Sequence, residues 1–131
     1  MRRVLMLILA VLSLGLVISG CSSSSSSVST VGPERFQEVA TQQGTQVIDV
    51  RTPAEFAAGH LQGAVNIDVE SPSFAGQVAT LDPAGTYAVY CRSGNRSRSA
   101  TQQMADAGLG TVYELDGGIN AWASAGYPIV Q

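Results

Sequence analysis

Thr86-Tyr-Ala-Val-Tyr-Cys91-Arg-Ser-Gly-Asn-Arg96-Ser-Arg-Ser-Ala100 is the stretch from which the rest of the chain can be read. Its apolar, β-prone run from Thr86 to Tyr90 stops at a cysteine. Five small or polar residues follow, Arg92 to Arg96, and then a helical pattern with Ala100, Met104 and Ala107 at i, i+4 and i+7. Gly108 stands where a helix C′ glycine belongs. Cys91 is therefore expected on a strand-to-helix turn, with backbone N–H groups of the turn and the first helical residues converging on its sulfur. Such a turn binds anions, because helix N-termini carry unpaired donors and a partial positive charge.

The same field favours a thiolate. An ordinary cysteine with a pKa of about 8.5 is only a few per cent ionised at neutral pH, and a helix N-terminus with nearby arginines lowers that value. Arg92, Arg96 and Arg98 are the expected source of positive charge, and Gly94 the expected point of positive φ or close backbone approach. The alternative is a buried structural cysteine at a strand end, since free cysteine is often fully buried. Three arginines and a glycine within seven residues after it favour the reactive reading.

The chain has 131 residues, which suits one domain with a tail. It holds seven arginines and no lysine, against ten acids, for a formal charge of −3. That balance excludes a general nucleic-acid binder, which needs a basic face. The cluster at Arg92, Arg96 and Arg98 suits one small anion.

Met1-Arg2-Arg3 opens a basic start, and Val4 to Ile18 is an apolar run broken only by Ser13 and Gly15. Residues 1–20 have the pattern of a secretory signal peptide. Fifteen helical residues would reach only about 22 Å, short of a hydrocarbon core of roughly 30 Å. Ile18-Ser19-Gly20-Cys21 resembles the lipobox of bacterial lipoproteins. By that resemblance Cys21 is lipidated and becomes the first mature residue, holding the domain on the extracytoplasmic face of the bacterial cell membrane. Lipidation would leave Cys91 as the free thiol and exclude a Cys21–Cys91 disulfide. Residues 21–30 then read as lipidated cysteine plus a serine-rich tether of about 16 Å reach.

The globular domain is expected from 31 to 131. Pro33 suits a helix start, with Phe36, Val39 and Ala40 on one face. Gln46–Val50 reads as a buried strand, and Thr52-Pro53-Ala54-Glu55 as a capping box opening a short helix. Ala64–Ile67 is a second strand. Phe74, Val78 and Leu81 are helically spaced around a disfavoured Gly76, and Asp82-Pro83-Ala84-Gly85 is a turn. Thr111–Leu115 is a further strand, and Ile119–Ala125 a final helix with Trp122 inward. Strands alternating with helices imply an α/β fold with a parallel sheet covered on both faces, and ligands in such sheets bind beyond the strands' carboxyl ends.

Several of these pieces resemble a single rhodanese domain: Val47-Ile-Asp49-Val-Arg51 with Glu55-Phe56, Gly59-His60-Leu-Gln-Gly63-Ala-Val-Asn66, the Cys91–Ser97 loop, and Asp116-Gly117-Gly118 with Trp122. The resemblance implies a central five-stranded parallel sheet and sulfurtransferase chemistry through a Cys91 persulfide. A sulfane sulfur would pass from a small anion such as thiosulfate to a thiophilic acceptor, a protein included. A six-residue loop ending on arginine, as Cys91 to Arg96 does, goes in this family with sulfur transfer; one residue more goes with phosphatases and arsenate reductases. The loop residues Arg92, Ser93, Gly94, Asn95 and Arg96 are the expected substrate site, with Arg92 meeting the anion and Arg96 tying the loop down. Asp49 and Arg51 are expected to brace the site as an ion pair, and His60 to be a structural turn residue. One free cysteine and one histidine cannot fill a zinc site, so no metal and no cofactor are expected. A monomer is expected. A persulfide carrier without turnover and a phosphatase-like or arsenate-reducing enzyme stand as the competing readings.

Overall fold

The computed structural model describes residues 27–131. Five strands alternate with five helices: β1 (Ser27–Val31), α1 (Pro33–Ala40), β2 (Thr45–Asp49), α2 (Pro53–Ala58), β3 (Val65–Asn66), α3 (Phe74–Val78), β4 (Thr86–Tyr90), α4 (Asn95–Asp106), β5 (Thr111–Leu115) and α5 (Gly118–Ser124). All strand pairs are parallel, in the order β1-β5-β4-β2-β3. From β2 the chain moves outward to β3, then returns to β4 on the other side of β2 and continues outward to β5. The order reverses between β2 and β4, the place where an open parallel sheet leaves a crevice at its carboxyl ends.

Alternation along the strands splits the core in two. Ile48, Val50, Tyr87, Val89, Cys91 and Val112 pack against Phe74 and Val78 of α3 and Ala100 and Met104 of α4. Val47, Ala88, Tyr90 and Leu115 face the other way, onto Phe36 and Val39 of α1 and Ile119 and Trp122 of α5. Both faces are covered, as the strand–helix alternation implied. Phe36 meets Tyr90 and Trp122 edge to face, at ring centroids 6.5 and 6.2 Å. Trp122 also donates its indole N–H to the Pro128 carbonyl at 2.9 Å.

The capping box is formed in both directions at α2. Glu55 N donates to Thr52 Oγ1 at 3.3 Å, and Thr52 N to Glu55 Oε2 at 3.2 Å. Helix α4 starts earlier than the apolar spacing suggested, at Asn95, so Arg96 and Ser97 lie in its first turn.

One expectation is overturned. Residues 27–30, assigned above to the serine-rich tether, are the body of β1, which pairs with β5 from Ser27↔Thr111 to Val31↔Leu115. Among the described residues the sheet begins at Ser27, four residues before the expected start at Val31. The strand escapes a hydrophobicity reading because Ser27 to Thr30 are all exposed. What seats it is the main-chain ladder, Ser27 N to the Gly110 carbonyl at 2.9 Å, and Thr30 Oγ1 to Glu114 Oε2 at 2.9 Å. The signal segment, Cys21 and the run of serines up to Ser26 lie outside the described residues. Among the described residues no helix is long and apolar enough to cross a membrane.

Candidate active site

Cys91 follows the last residue of β4 directly, at the carboxyl end of the sheet and beside the reversal point. The whole residue is buried, as the structural reading of a strand-end cysteine required. Its sulfur is nonetheless in a polar cup. Gly94 N donates to Sγ at 3.1 Å, and Ser97 Oγ lies 3.4 Å away. Burial would push the Cys91 thiol up. The Ser97 hydroxyl, with the backbone N–H groups of Ser97, Gly94 and Ser93, outweighs that and brings it below its ordinary value. The amides bend inward because Gly94 takes φ +105°, a left-handed conformation open to glycine at low cost.

Among the three arginines, Arg96 clasps Glu55 with both terminal nitrogens, at 2.7 and 2.8 Å, and reaches Glu70 at 3.4 Å, while its charge also acts on Cys91. The Arg96 guanidinium holds the Glu55 carboxyl at about 2. This clasp fastens the loop to α2 across 41 residues of sequence. Arg92, Ser93, Asn95 and Arg98 are exposed around the loop, and no arginine donates a hydrogen bond to the sulfur. Arg92 and Arg98 have no carboxylate within ion-pair distance among the described residues.

The loop has a second anchor that the sequence reading did not assign. Ile119 N donates to the Cys91 carbonyl at 2.9 Å, and Asn120 N to the Arg92 carbonyl at 3.1 Å. The start of α5 thus holds the loop from below, and Gly118 makes the approach feasible. A Cβ there would stand 2.5 Å from Cys91 O and from Arg92 C and O. The Asp116-Gly117-Gly118 motif carries this information, although no spacing rule ties it to Cys91.

Asp49 and Arg51 form a buried pair beside the loop. Arg51 Nη2 donates to Asp49 Oδ2 at 2.7 Å and to the Gly59 carbonyl at 2.6 Å, and its guanidinium lies 5.7 Å from the Tyr90 ring centroid. Neither touches the sulfur. His60 Nδ1 sits 3.0 Å from the Phe56 carbonyl, its ring is stacked on Phe56, and its backbone pairs with Val130. Those contacts place it at a turn away from the Cys91 loop. A depression of about 230 Å³ adjoins the site, with Arg51 and Glu55 on one wall and Ile119, Asn120 and Ile129 on the other. No cluster of metal-ligating residues occurs among the described residues.

Three residues of the site went unread in sequence. Glu55 was visible as a cap and as half of the Glu55-Phe56 motif, without its tie to Arg96. Ser97 was visible only as part of the loop motif. Glu114 lay unremarked inside the strand read over Thr111–Leu115.

One thiol at a strand end, with main-chain donors curled around it beside the reversal point of an open parallel sheet, defines a single α/β domain with a cysteine loop as its candidate site. A family model for the rhodanese-like domain matches residues 33–125, and the chain belongs to that family. Thiosulfate sulfurtransferase GlpE of Pseudomonas aeruginosa is 38% identical over 98 residues, covering 75% of this chain and 86% of that protein. An uncharacterized protein of Synechocystis, slr1261, is 34% identical over 112 residues; the match covers 84% of this chain and 60% of that protein's length. The crystal structure of a rhodanese-related protein from Thermoplasma volcanium superposes with a TM-score of 0.69 at 29% identity, covering 78% of this chain and 97% of the other.

Proposed function

We propose that this protein is a sulfurtransferase that moves a sulfane sulfur from a small anion such as thiosulfate to a thiophilic acceptor through a persulfide on Cys91. The observation that carries this reading is the sulfur itself: a thiol lowered by one hydroxyl and three amides, at the carboxyl end of the sheet. The likeness to a thiosulfate sulfurtransferase supports the choice of donor.

In the first half-reaction the Cys91 thiolate attacks the outer sulfur of thiosulfate. A sulfur–sulfur bond forms, the bond to the sulfonate sulfur breaks, and sulfite leaves with the electron pair. In the second, a nucleophile such as cyanide takes the outer sulfur and Cys91 departs as thiolate. The redox account closes without a cofactor, and ping-pong kinetics follow. The Gly94 N–H and its neighbours stabilise negative charge on the sulfur at both stages. Arg92, exposed and without a carboxylate in ion-pair distance among the described residues, would meet the incoming dianion.

Turnover of thiosulfate and cyanide by wild type and Cys91→Ser tests the proposal. Loss of turnover in the variant is expected, with a one-sulfur mass gain on wild type alone after thiosulfate. Activity retained in Cys91→Ser would remove this residue from the reaction. A stable mass gain without turnover would make the protein a sulfur carrier for a protein partner, and phosphate release from an aryl phosphate would make it a phosphatase.

We further propose that the chain works as a monomer tethered by lipid on Cys21 to the extracytoplasmic face of the membrane. The support is the basic start, the apolar run and Ile18-Ser19-Gly20-Cys21. The mature protein should partition into detergent, and Cys21→Ala should stay unprocessed. Wild type that remains in the aqueous phase would refute the anchor.

A further inference from the structure

Glu114 is a buried carboxylate that the sulfur-transfer scheme does not use. It lies in β5 with Thr30 of β1 and Val89 of β4 as its register partners, on the face covered by α4, and is 2% exposed. Its two oxygens meet two neutral hydroxyls: Thr30 Oγ1 to Oε2 at 2.9 Å, and Ser97 Oγ to Oε1 at 2.9 Å. No arginine or histidine nitrogen comes within 4 Å of it among the described residues. A carboxylate buried with no cation beside it is an unusual expense for a small domain, and here it stands one hydroxyl away from the nucleophile.

Ser97 has one proton to give and three claimants for it. Glu114 Oε1 is at 2.9 Å, the Gly94 carbonyl at 3.2 Å and Cys91 Sγ at 3.4 Å. With Glu114 ionised, its charge and short distance take the proton. The sulfur then faces lone pairs of Ser97 Oγ, an arrangement that suits an S–H donor. With that charge removed, the serine proton is free to turn toward a thiolate. One hydroxyl cannot donate to two anions at once, so the Glu114 carboxylate and the Cys91 thiolate compete for it.

We propose that Glu114 is a positioning residue that acts through Ser97, drawing the Ser97 hydroxyl away from Cys91 and so restraining formation of the thiolate.

The other ionisable groups on this face do not compete for the role. β1 and α3 carry none. β4 brings Cys91 and Tyr87, whose hydroxyl is committed to the Asp82 carbonyl at 2.8 Å. On α4, Arg96 is held by Glu55 and Glu70, Arg98 is exposed, and Asp106 accepts from Gln102 at the far end. Asp49 and Arg51 lie with Tyr90 on the opposite face.

The inference rests on Cys91 being the nucleophile but not on sulfur transfer, because alkylation reports the thiolate whether or not turnover occurs. The experiment is the rate of iodoacetamide labelling of Cys91 in the full chain, followed on the Cys91 peptide by mass spectrometry over about pH 4 to 10. Glu114→Gln keeps the shape and removes the competing charge. Its labelling midpoint is expected about one pH unit below wild type, so that labelling below the midpoint is about tenfold faster. In a Ser97→Ala background the same substitution should move the midpoint by less than half as much, since the shared hydroxyl is gone. A purely structural role would lower the melting temperature and leave the midpoint in place. Should Glu114→Gln fail to fold, Thr30→Val leaves Ser97 as the hydroxyl partner of the carboxylate, tightens its hold on that proton, and is expected to move the midpoint upward. A midpoint unchanged in a folded Glu114→Gln, or in Thr30→Val where the first does not fold, overturns the proposal.

Discussion

Of the three arginines around the Cys91 loop, Arg96 is the one held by carboxylates among the described residues, and that clasp sets how the loop responds to acid. Arg96 points at Glu55, and the pair is partly exposed, with side-chain accessibilities of 26% and 29%. An exposed pair of this kind adds little to global stability, but a bidentate clasp fixes geometry. The Glu55 carboxyl stands at about 2 in the folded protein against an ordinary 4.5. A depressed carboxyl contributes stability above its unfolded value and loses it as pH falls toward the folded one. The melting temperature of wild type should therefore exceed that of Glu55→Gln at neutral pH, with the gap closing between about pH 4.5 and 2. A gap that stays constant through that window would show that the ionised Glu55 carboxylate contributes nothing beyond what the neutral amide supplies. The sequence displayed Glu55 as a cap and Arg96 as the loop's closing arginine. Their meeting depends on tertiary packing over 41 residues, to which local spacing is blind.

At the scale of elements, the reactive loop is a graft between two helices that follow it in sequence. Helix α4 supplies Ser97 and its N-terminal amides, while α5 grips the carbonyls of Cys91 and Arg92 from the other side. Gly118 is the point of contact, with φ +60° and no room for a methyl group: the intruding atoms would be backbone, which cannot swing aside. Gly118→Ala should strain its own backbone by about 1–3 kcal/mol and displace the loop. A shift of about 1 Å at a nucleophile costs on the order of a hundredfold in rate. For the proposed sulfur transfer, kcat/KM is expected to fall by at least about tenfold while the domain remains folded by circular dichroism. Full activity in Gly118→Ala would mean that α5 does not set the loop's position. The strands and helices themselves were legible because Phe36, Val39, Met104 and Trp122 fall at regular intervals and are buried where those intervals place them. The α5 grip was not, since it runs through main-chain atoms and leaves no side-chain pattern.

For the molecule as a whole, the sheet's outer edge decides where the domain starts. β1 contributes almost no apolar burial: Ser27, Val28, Ser29 and Thr30 are exposed, and only Val31 is part-buried. Serine-rich composition made this stretch read as tether, because a strand whose side chains face solvent on an edge has no hydrophobic alternation to display. Its value lies in covering β5. Paired with β1 over five residues, β5 becomes an interior strand, and Thr30 closes the outer side of the buried Glu114 carboxylate. Without β1, the β5 edge would face water, and Glu114 would lose one of its two hydroxyl partners. A form beginning at Gly32 should be less stable than one beginning at Ser27 by about 2–5 kcal/mol, reckoned at about 1 kcal/mol for each lost ladder bond and the Thr30 contact. Urea unfolding measures the difference. Because the lost strand also bears on Glu114, the shorter form should label differently at Cys91 when both are still folded in dilute urea. Equal unfolding midpoints for the two forms would return Ser27 to Thr30 to the tether and leave a four-stranded sheet as the folding unit.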